Sequence, residues 1–351
     1  MARIVVCGGG VVGLATAMML ARDGHEVTVL ERDRDPVPAE PARAWDAWPR
    51  RGVAQFHQPH NLLPPVRLAL EEELPGTVER LEAAGCTWMD FLDLMPPTIG
   101  DREPRPGDDR FRAITGRRPV VEAVLGRAAE EEPGVSVRRG VSVAGLAQGP
   151  RAVAGVPHVS GVRTTAGDEL AADLVVDATG RRSPLRDWLA AIGGGPPHVE
   201  TEEGRFVYHT RYFSGPRPPV YIGPPATDVG TFSVLTIPGD NSTWSVTLWA
   251  SADDDALRAF RDPERFARVV RACPLQAHWL DGEPVTEVLT MAGIVDRYRR
   301  FVVDGRPVAT GVVAVGDAWA CTNPSAGRGI AVGLMHARRL RALVRSWPGD
   351  P

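Results

Sequence analysis

The chain opens on an apolar, β-branched run, residues 3–7 (RIVVC), the pattern of a strand buried on both faces. The glycine-rich stretch GGGVVG (8–13) follows. An apolar run of helical length then extends from about Val11 to Arg22, with Gly24 where a helix C-terminus favours glycine. A second β-branched run, VTVLE (27–31), completes a strand–helix–strand unit, which predicts a doubly wound α/β sheet. Residues 33–56 are rich in Pro, Arg and Trp without a clean period, and read as a surface loop. A helix is expected near 65–84. Residues 96–110 hold too much Pro and Asp for an element interior. A helix near 119–131 leads to a short strand at 135–138, and LVVDATG (174–180) reads as a buried strand ending in a glycine turn.

The middle of the chain changes period. Residues 205–213 (RFVYHTRYF), 231–237 (TFSVLTI) and 243–250 (TWSVTLWA) alternate and are rich in aromatic residues, and the last two flank PGDN, a hairpin signal. This predicts an antiparallel sheet inserted into the nucleotide-type domain. A helix near 263–272, a last buried strand in VVAVGD (312–317) and a helix over about 326–345 close the pattern. The resulting division is 1–75, 112–185 and 288–351 for the doubly wound domain, with 76–111 and 186–287 forming the domain that carries the antiparallel sheet.

Composition narrows the function classes. At 351 residues with 43% hydrophobic content the chain can bury a sizeable core, and its net charge of -4 comes with no basic block, which argues against a nucleic-acid partner. All 40 basic residues are arginine. Without lysine there is no Schiff base, no P-loop lysine and no lysine-dependent halogenation. The four cysteines, Cys7, Cys86, Cys273 and Cys321, lie far apart and read as reduced thiols of a cytoplasmic protein. No stretch is long and apolar enough to predict a membrane span.

Two motifs carry the chemistry. Gly8, Gly10 and Gly13 form G-x-G-x-x-G after a strand and at the opening of a helix. Gly8 permits the tight turn, Gly10 the approach of a pyrophosphate and Gly13 close packing of helix on strand. The partial positive charge of the helix N-terminus suits a diphosphate. Glu31 stands about 20 residues beyond, where a ribose-binding acid belongs, and its charge excludes a 2′-phosphate. This motif alone does not separate FAD from NAD. The second does: Val315-Gly316-Asp317 closes a strand, and Pro324-Ser325-Ala326-Gly327-Arg328-Gly329 opens the last helix. An acid at a strand end accepts bonds from a sugar-alcohol chain, and a glycine-lined helix start lets backbone N–H groups approach a flat ring. Both features suit the ribityl and ring portions of FAD.

The start of the chain through Glu31, the segment LVVDATGRRSPLR and the segment GDAWACTNPSAGRG resemble the group A flavoprotein monooxygenases of the para-hydroxybenzoate hydroxylase type, with looser likeness to flavin epoxidases, flavin halogenases and geranylgeranyl reductases. The resemblance implies a glutathione-reductase-like Rossmann domain with an inserted substrate sheet. It also implies a cycle in which NADPH or NADH, or a separate flavin reductase, reduces FAD, and molecular oxygen then yields a flavin peroxide that oxidises an aromatic or unsaturated small molecule. On this resemblance Gly8, Gly10, Val11, Val12 and Gly13 line the FAD diphosphate, and Glu31 with Arg32 meets the adenosine ribose. Arg51 lies beside the flavin and Arg118 near the phosphates. Gly180 ends the middle motif, Asp317 holds the ribityl chain, and Pro324, Gly327, Gly329 and Ile330 border the ring.

Two departures stand out. The family's Ala-Asp-Gly is here Ala178-Thr179-Gly180, with Ser183 and Arg186 kept, which sets direct NAD(P)H handling in question. The chain also ends soon after its last predicted helix, where relatives carry further helices over the active site, so the expectation is a chain that is short, truncated or lidded by a partner. His57 and His60, in FHQPHNLL, read first as structural histidines and second as active-site groups; no metal site is expected. Strand alternation divides Trp244, Trp249, Tyr208, Tyr212 and Phe232 between core packing, expected for most, and a pocket wall. No residue stands out as a catalytic acid or base. An FAD-dependent reductase or dehydrogenase, and a flavin-binding module active only with a partner, remain the competing readings.

Overall fold

A computed structural model describes residues 1–96, 98–202 and 204–346. The strands that position the site are β1 (Arg3–Cys7), β2 (Glu26–Glu31), β3 (Val135–Arg139), β4 (Leu174–Asp177), β5 (Phe206–Ser214), β6 (Phe232–Pro238), β7 (Thr243–Ser251) and β8 (Val312–Ala314). The helices are α1 (Val11–Ala21), α2 (Ala44–Ala47), α3 (Pro64–Glu73), α4 (Thr77–Ala83), α5 (Arg118–Glu131) and α6 (Gly329–Arg345).

Five of these strands form a parallel sheet in the order β8-β4-β1-β2-β3. The continuous apolar character of β1 has its reason in the layers around it. Ile4 and Val6 point into a core shared with α1, α3, α5 and α6. Val5 and Cys7 point into a second core on the opposite face. A strand covered on both sides has no solvent face on which to place polar residues.

The second cover is a three-stranded antiparallel sheet built from Val143–Val153, Val156–Thr164 and Glu169–Ala171. Sequence reading missed these strands. They are rich in Gly and Ala and their pairing slips at three places, so the period of two that betrays a strand is interrupted.

The inserted sheet is antiparallel, with β6, β7 and β5 side by side, and the β6–β7 hairpin turns through Asn241 and Ser242 at φ 49° and 56°. One face packs on Phe260, Phe266, Val270 and Trp279, supplied by the segment that includes the helix Pro263–Arg271.

Other elements depart from expectation for local reasons. The helix expected over 65–84 is two helices, α3 and α4, parted at Pro75 and at Gly76, whose φ is +86°. The segment 33–56 contains a 3-10 turn at Pro41–Arg43 and the short helix α2. The last helix begins at Gly329 rather than near 326, because Pro324–Ala326 forms a 3-10 turn ended by Gly327 at φ +62°. The four cysteines are buried and free.

Candidate cofactor site

The two glycine-lined openings meet at the C-terminal edge of the parallel sheet. A Cβ on Gly8, whose φ is +111°, would stand 2.5 Å from the Ala178 carbonyl oxygen, and one on Gly13 would stand 2.1 Å from the Gly8 carbonyl oxygen. These positions tolerate only glycine because strand, turn and helix are in backbone contact there. Gly10 differs: a Cβ there would meet nothing within 4 Å, and the same holds for Gly180. The loop is therefore crowded on its protein side and open in front. No side chain caps α1, so its first N–H groups face that opening with the positive end of the helix dipole.

The second opening lies directly alongside. A Cβ on Gly316 would stand 3.3 Å from Val12, and one on Gly333 in α6 would stand 2.4 Å from the same side chain. Asp317 follows Gly316, and the open side of Gly329 lies about 4 Å from both Asp317 Oδ1 and Thr322 Oγ1. Burial raises the Asp317 pKa, while Arg118, Arg181 and Arg299 pull it down. Arg299 fixes the geometry by donating to the carbonyls of Asp317, Ala318 and Arg181. Ile330 is 8% exposed and belongs to the core beneath α6.

Glu31 sits where its spacing predicted, against the glycine loop. It accepts from the Gly9 N–H at 2.9 Å, the Asp33 N–H at 2.9 Å and Arg50 at 3.1 Å. Burial alone would raise its pKa, but Arg50 and the two N–H groups hold it below the usual carboxylate range. Arg50 is 4% exposed and also donates to the Gly9 carbonyl and to Glu122. Its neighbour Arg51 is exposed in a turn, and Arg32 is exposed with one bond to the Gly52 carbonyl. The buried arginine at the loop is thus Arg50. The expectation fell on Arg51, and Arg50 was not singled out in the sequence.

Arg118 begins α5, 9% exposed, and donates to Glu122 at 3.1 Å. Its Nη1 lies 2.8 Å from His60 Nε2. A guanidinium only donates, so Nε2 accepts, and the imidazole proton resides on Nδ1, which donates to the Gln58 carbonyl at 2.8 Å. Burial and then Arg118 hold the His60 pKa down to about 3. His60 is therefore a neutral brace for Arg118. Glu122 and His60 complete a buried chain from Glu31 through Arg50 to Arg118. The Arg118–Glu122 spacing of four on a helix was its one signal in the sequence. His57 lies on the surface against Trp45 and Phe56.

The departure in the middle motif acquires a geometry. Thr179 donates through Oγ1 and its N–H to Asp177 Oδ1, at 2.6 and 2.9 Å, and Ser183 donates to Asp177 Oδ2. Asp177 is fully buried, and burial raises its pKa against these donors. Beyond the turn lies a cavity of about 320 Å³ lined by Arg181, Arg182, Arg297 and Cys321 among others. Burial pushes the Cys321 thiol up to about 11. Arg186 points to solvent.

The inserted sheet reaches this site through Tyr208. Its hydroxyl donates to Asn323 Oδ1 at 2.5 Å, and the same oxygen accepts the Ser325 N–H that starts the turn before Gly327. Among the described residues no helix is long and apolar enough to cross a membrane.

Comparison with known proteins places the chain in a family and a fold. A family model described as FAD binding domain matches residues 115–344, and one described as FAD dependent oxidoreductase matches residues 3–88. Protein Rv3254 of Mycobacterium tuberculosis is 26% identical over 97% of this chain and 73% of its own length. PqsL of Pseudomonas aeruginosa, described as a probable FAD-dependent monooxygenase, superposes with a TM-score of 0.69 at 16% identity, covering 99% of this chain and 88% of that one. The myxobacterial chondrochloren halogenase CndH gives a TM-score of 0.66 at 21% identity, over 99% and 76% of the two chains. At such identities the structural likeness establishes the fold, and the family follows from the model matched over most of the chain. The protein is an FAD-dependent oxidoreductase that belongs to the para-hydroxybenzoate-hydroxylase-like, group A flavoprotein monooxygenase family.

Proposed function

We propose that the protein is a monooxygenase that hydroxylates or epoxidises an aromatic or unsaturated small molecule. The observation that carries this reading is the meeting of the two openings: Val12 at the glycine loop stands within van der Waals reach of Gly316, beside Asp317 and Gly329. Residues 1–75, 112–185 and 288–351 are assigned to the cofactor, and 76–111 and 186–287 to the substrate.

Gly8, Gly10, Val11, Val12 and Gly13 hold the diphosphate with the N–H groups of α1. Glu31 accepts from the adenosine ribose with Arg32 at the rim, and Arg118, braced by His60, balances phosphate charge. Arg50 is the better candidate than Arg51 for the arginine beside the loop, since it is the buried one of the two. Asp317 binds the ribityl hydroxyls. Gly180, Pro324, Gly327, Gly329 and Ile330 border the ring. Bound FAD supplies the redox and oxygen-activating chemistry. The protein's part is to orient the cofactor, exclude water and hold the substrate.

The arginine-lined cavity supports NADPH or NADH as the electron donor. Arg181, Arg182 and Arg297 suit a diphosphate, and Thr179, tied inward to Asp177, places no carboxylate there to repel one. A separate flavin reductase is the alternative donor.

The test is oxygen consumption by the purified chain with NADH or NADPH and candidate substrates. Oxygen used in step with product is expected. Product formed under strict anaerobiosis would transfer the protein to the reductases. Bound flavin without turnover would make it a module that needs a partner.

A further inference from the structure

We propose that the substrate carries a carboxylate on its small aromatic or unsaturated skeleton, and that the cavity at Arg181, Arg182 and Arg297 seats this group. The inference rests on the proposed function, which gives the same arginines to the donor's diphosphate; donor and substrate then occupy the cavity in turn.

The arginines of this cavity differ from those in the rest of the interior. Arg50, Arg117 and Arg118 are each ion-paired to a buried carboxylate, of Glu31, Asp240 and Glu122 respectively. Among the described residues, Arg181, Arg182 and Arg297 have no carboxylate partner, and Arg297 donates only to the Arg181 carbonyl, at 3.3 Å. Arg181 and Arg297 are half-buried, and Arg182 stands exposed at the mouth. A guanidinium drawn part-way out of water beside two others loses hydration and meets repulsion, with no internal anion to offset either. An anion that enters the cavity offsets both, and a carboxylate accepts from a guanidinium through two parallel bonds. The Cys321 thiol in the wall adds no negative charge, since burial and then Asp317 push its pKa up to about 11. Asp296 contributes to that rise as well, and neither acid lines the cavity.

The walls connect the cavity to both parts of the reaction site. Ala292 closes the strand Leu289–Ala292 and pairs with Val207 of β5, so one wall borders the inserted sheet assigned to the substrate. Cys321 is the register partner of Arg297 and stands two residues before Asn323, whose side chain fixes the turn assigned to the border of the flavin ring. Arg181 follows Gly180, assigned to the same border. A volume of about 320 Å³ falls at the lower end for small-molecule sites and suits a compact ring or alkene that bears one charged group.

Equilibrium dialysis of the flavin-loaded chain tests this with two pairs of probes, 2-naphthoate against 2-naphthol and cinnamate against cinnamyl alcohol. In at least one pair the acid is expected to bind about tenfold more tightly, the scale of a charge-assisted hydrogen bond. Arg181→Gln and Arg297→Gln are expected to remove that preference and to leave the affinity for the neutral partner unchanged. Arg186→Gln, at a nearby solvent-facing arginine, is expected to alter neither. Saturating NAD+ or NADP+ is expected to displace the acid. Equal or weaker binding of both acids, binding of no probe, or a preference that survives both cavity substitutions overturns the proposal; an acid that stays bound beside either nucleotide overturns the shared use of the cavity. Flavin content and oxygen uptake in step with product decide the functional reading separately, whatever the dialysis gives.

Discussion

The two ends of the site are built on opposite electrostatic principles. The nucleotide end is charged throughout: Glu31, Arg50, Glu122 and Arg118 run through the interior as a continuous series of buried ion pairs, with Asp317 close to the last. Among the described residues, the sheet face that carries Tyr208, Thr210 and Tyr212 presents hydroxyls and rings and no cation of its own strands. The difference follows from what each must hold. A diphosphate needs fixed donors and a helix dipole, and those donors need carboxylates to fix them. A small oxidisable molecule needs a dry, shaped surface. The first demand dictates residue types at fixed spacing, whereas many sequences meet the second.

The largest expected effect is at the loop. Gly13→Leu places a side chain 2.1 Å from a backbone oxygen, so the strand–turn–helix cannot close, and the variant is expected to lose bound flavin and folded protein together. No single substitution on the sheet face should do this; the flavin-to-protein ratio after purification checks it.

Next comes the buried ion-pair chain. Arg50→Ala leaves Glu31 and Glu122 facing each other without their shared partner, and a cost of about 3–5 kcal/mol is expected. Arg51→Ala, one residue on and exposed, is expected to cost less than about 0.5 kcal/mol. Urea denaturation of the pair compares them directly. Equal effects would mean that the two residues exchange places in solution.

A third effect depends on pH. Asp23, in the turn after α1, is held by Arg341 and Arg345 of α6. Burial would raise its carboxyl, but these arginines bring it to about 2, below its ordinary 3.8. A group depressed on folding stabilises the protein fully above its unfolded value, and that share is lost as pH falls from about 4 towards 2. With Arg345 open to solvent, screening holds its size to about 1 kcal/mol. Asp23→Asn should therefore reduce stability at pH 7 and flatten its fall below pH 4, as seen in denaturation midpoints across that range.

The smallest effect concerns the link between the two regions. Tyr208→Phe removes one hydrogen bond to Asn323 and is expected to cost about 1 kcal/mol, appearing as a several-fold weaker FAD affinity with the fold retained. An unchanged affinity would show that the sheet does not set the turn before Gly327.

The same contrast decided what could be read from the chain. The glycine loop, Glu31 and the Asp317 turn announced themselves, because backbone crowding and diphosphate chemistry allow few residues there. β5, β6 and β7 were legible through alternation and their PGDN turn. The three strands between Val143 and Ala171 were not, since glycines and bulges erase the period. Arg51 was singled out in the sequence and Arg50 was missed, because burial of one of two adjacent arginines is set by the path of a loop with no period of its own. His60 was given no partner in advance, as its role depends on Arg118, 58 positions away. Thr179 looked like a lost nucleotide contact and proved to be bonded inward to Asp177.

The central claim is that one FAD bridges both openings. Titration of the flavin-free chain with FAD, followed by flavin fluorescence, tests it in the wild type, Gly10→Val and Asp317→Ala. A Cβ at Gly10 meets no protein atom within 4 Å, so that variant fills only the space assigned to the diphosphate. One FAD per chain is predicted, with affinity at least tenfold weaker in each variant while both remain folded. Binding that neither substitution disturbs would contradict the account.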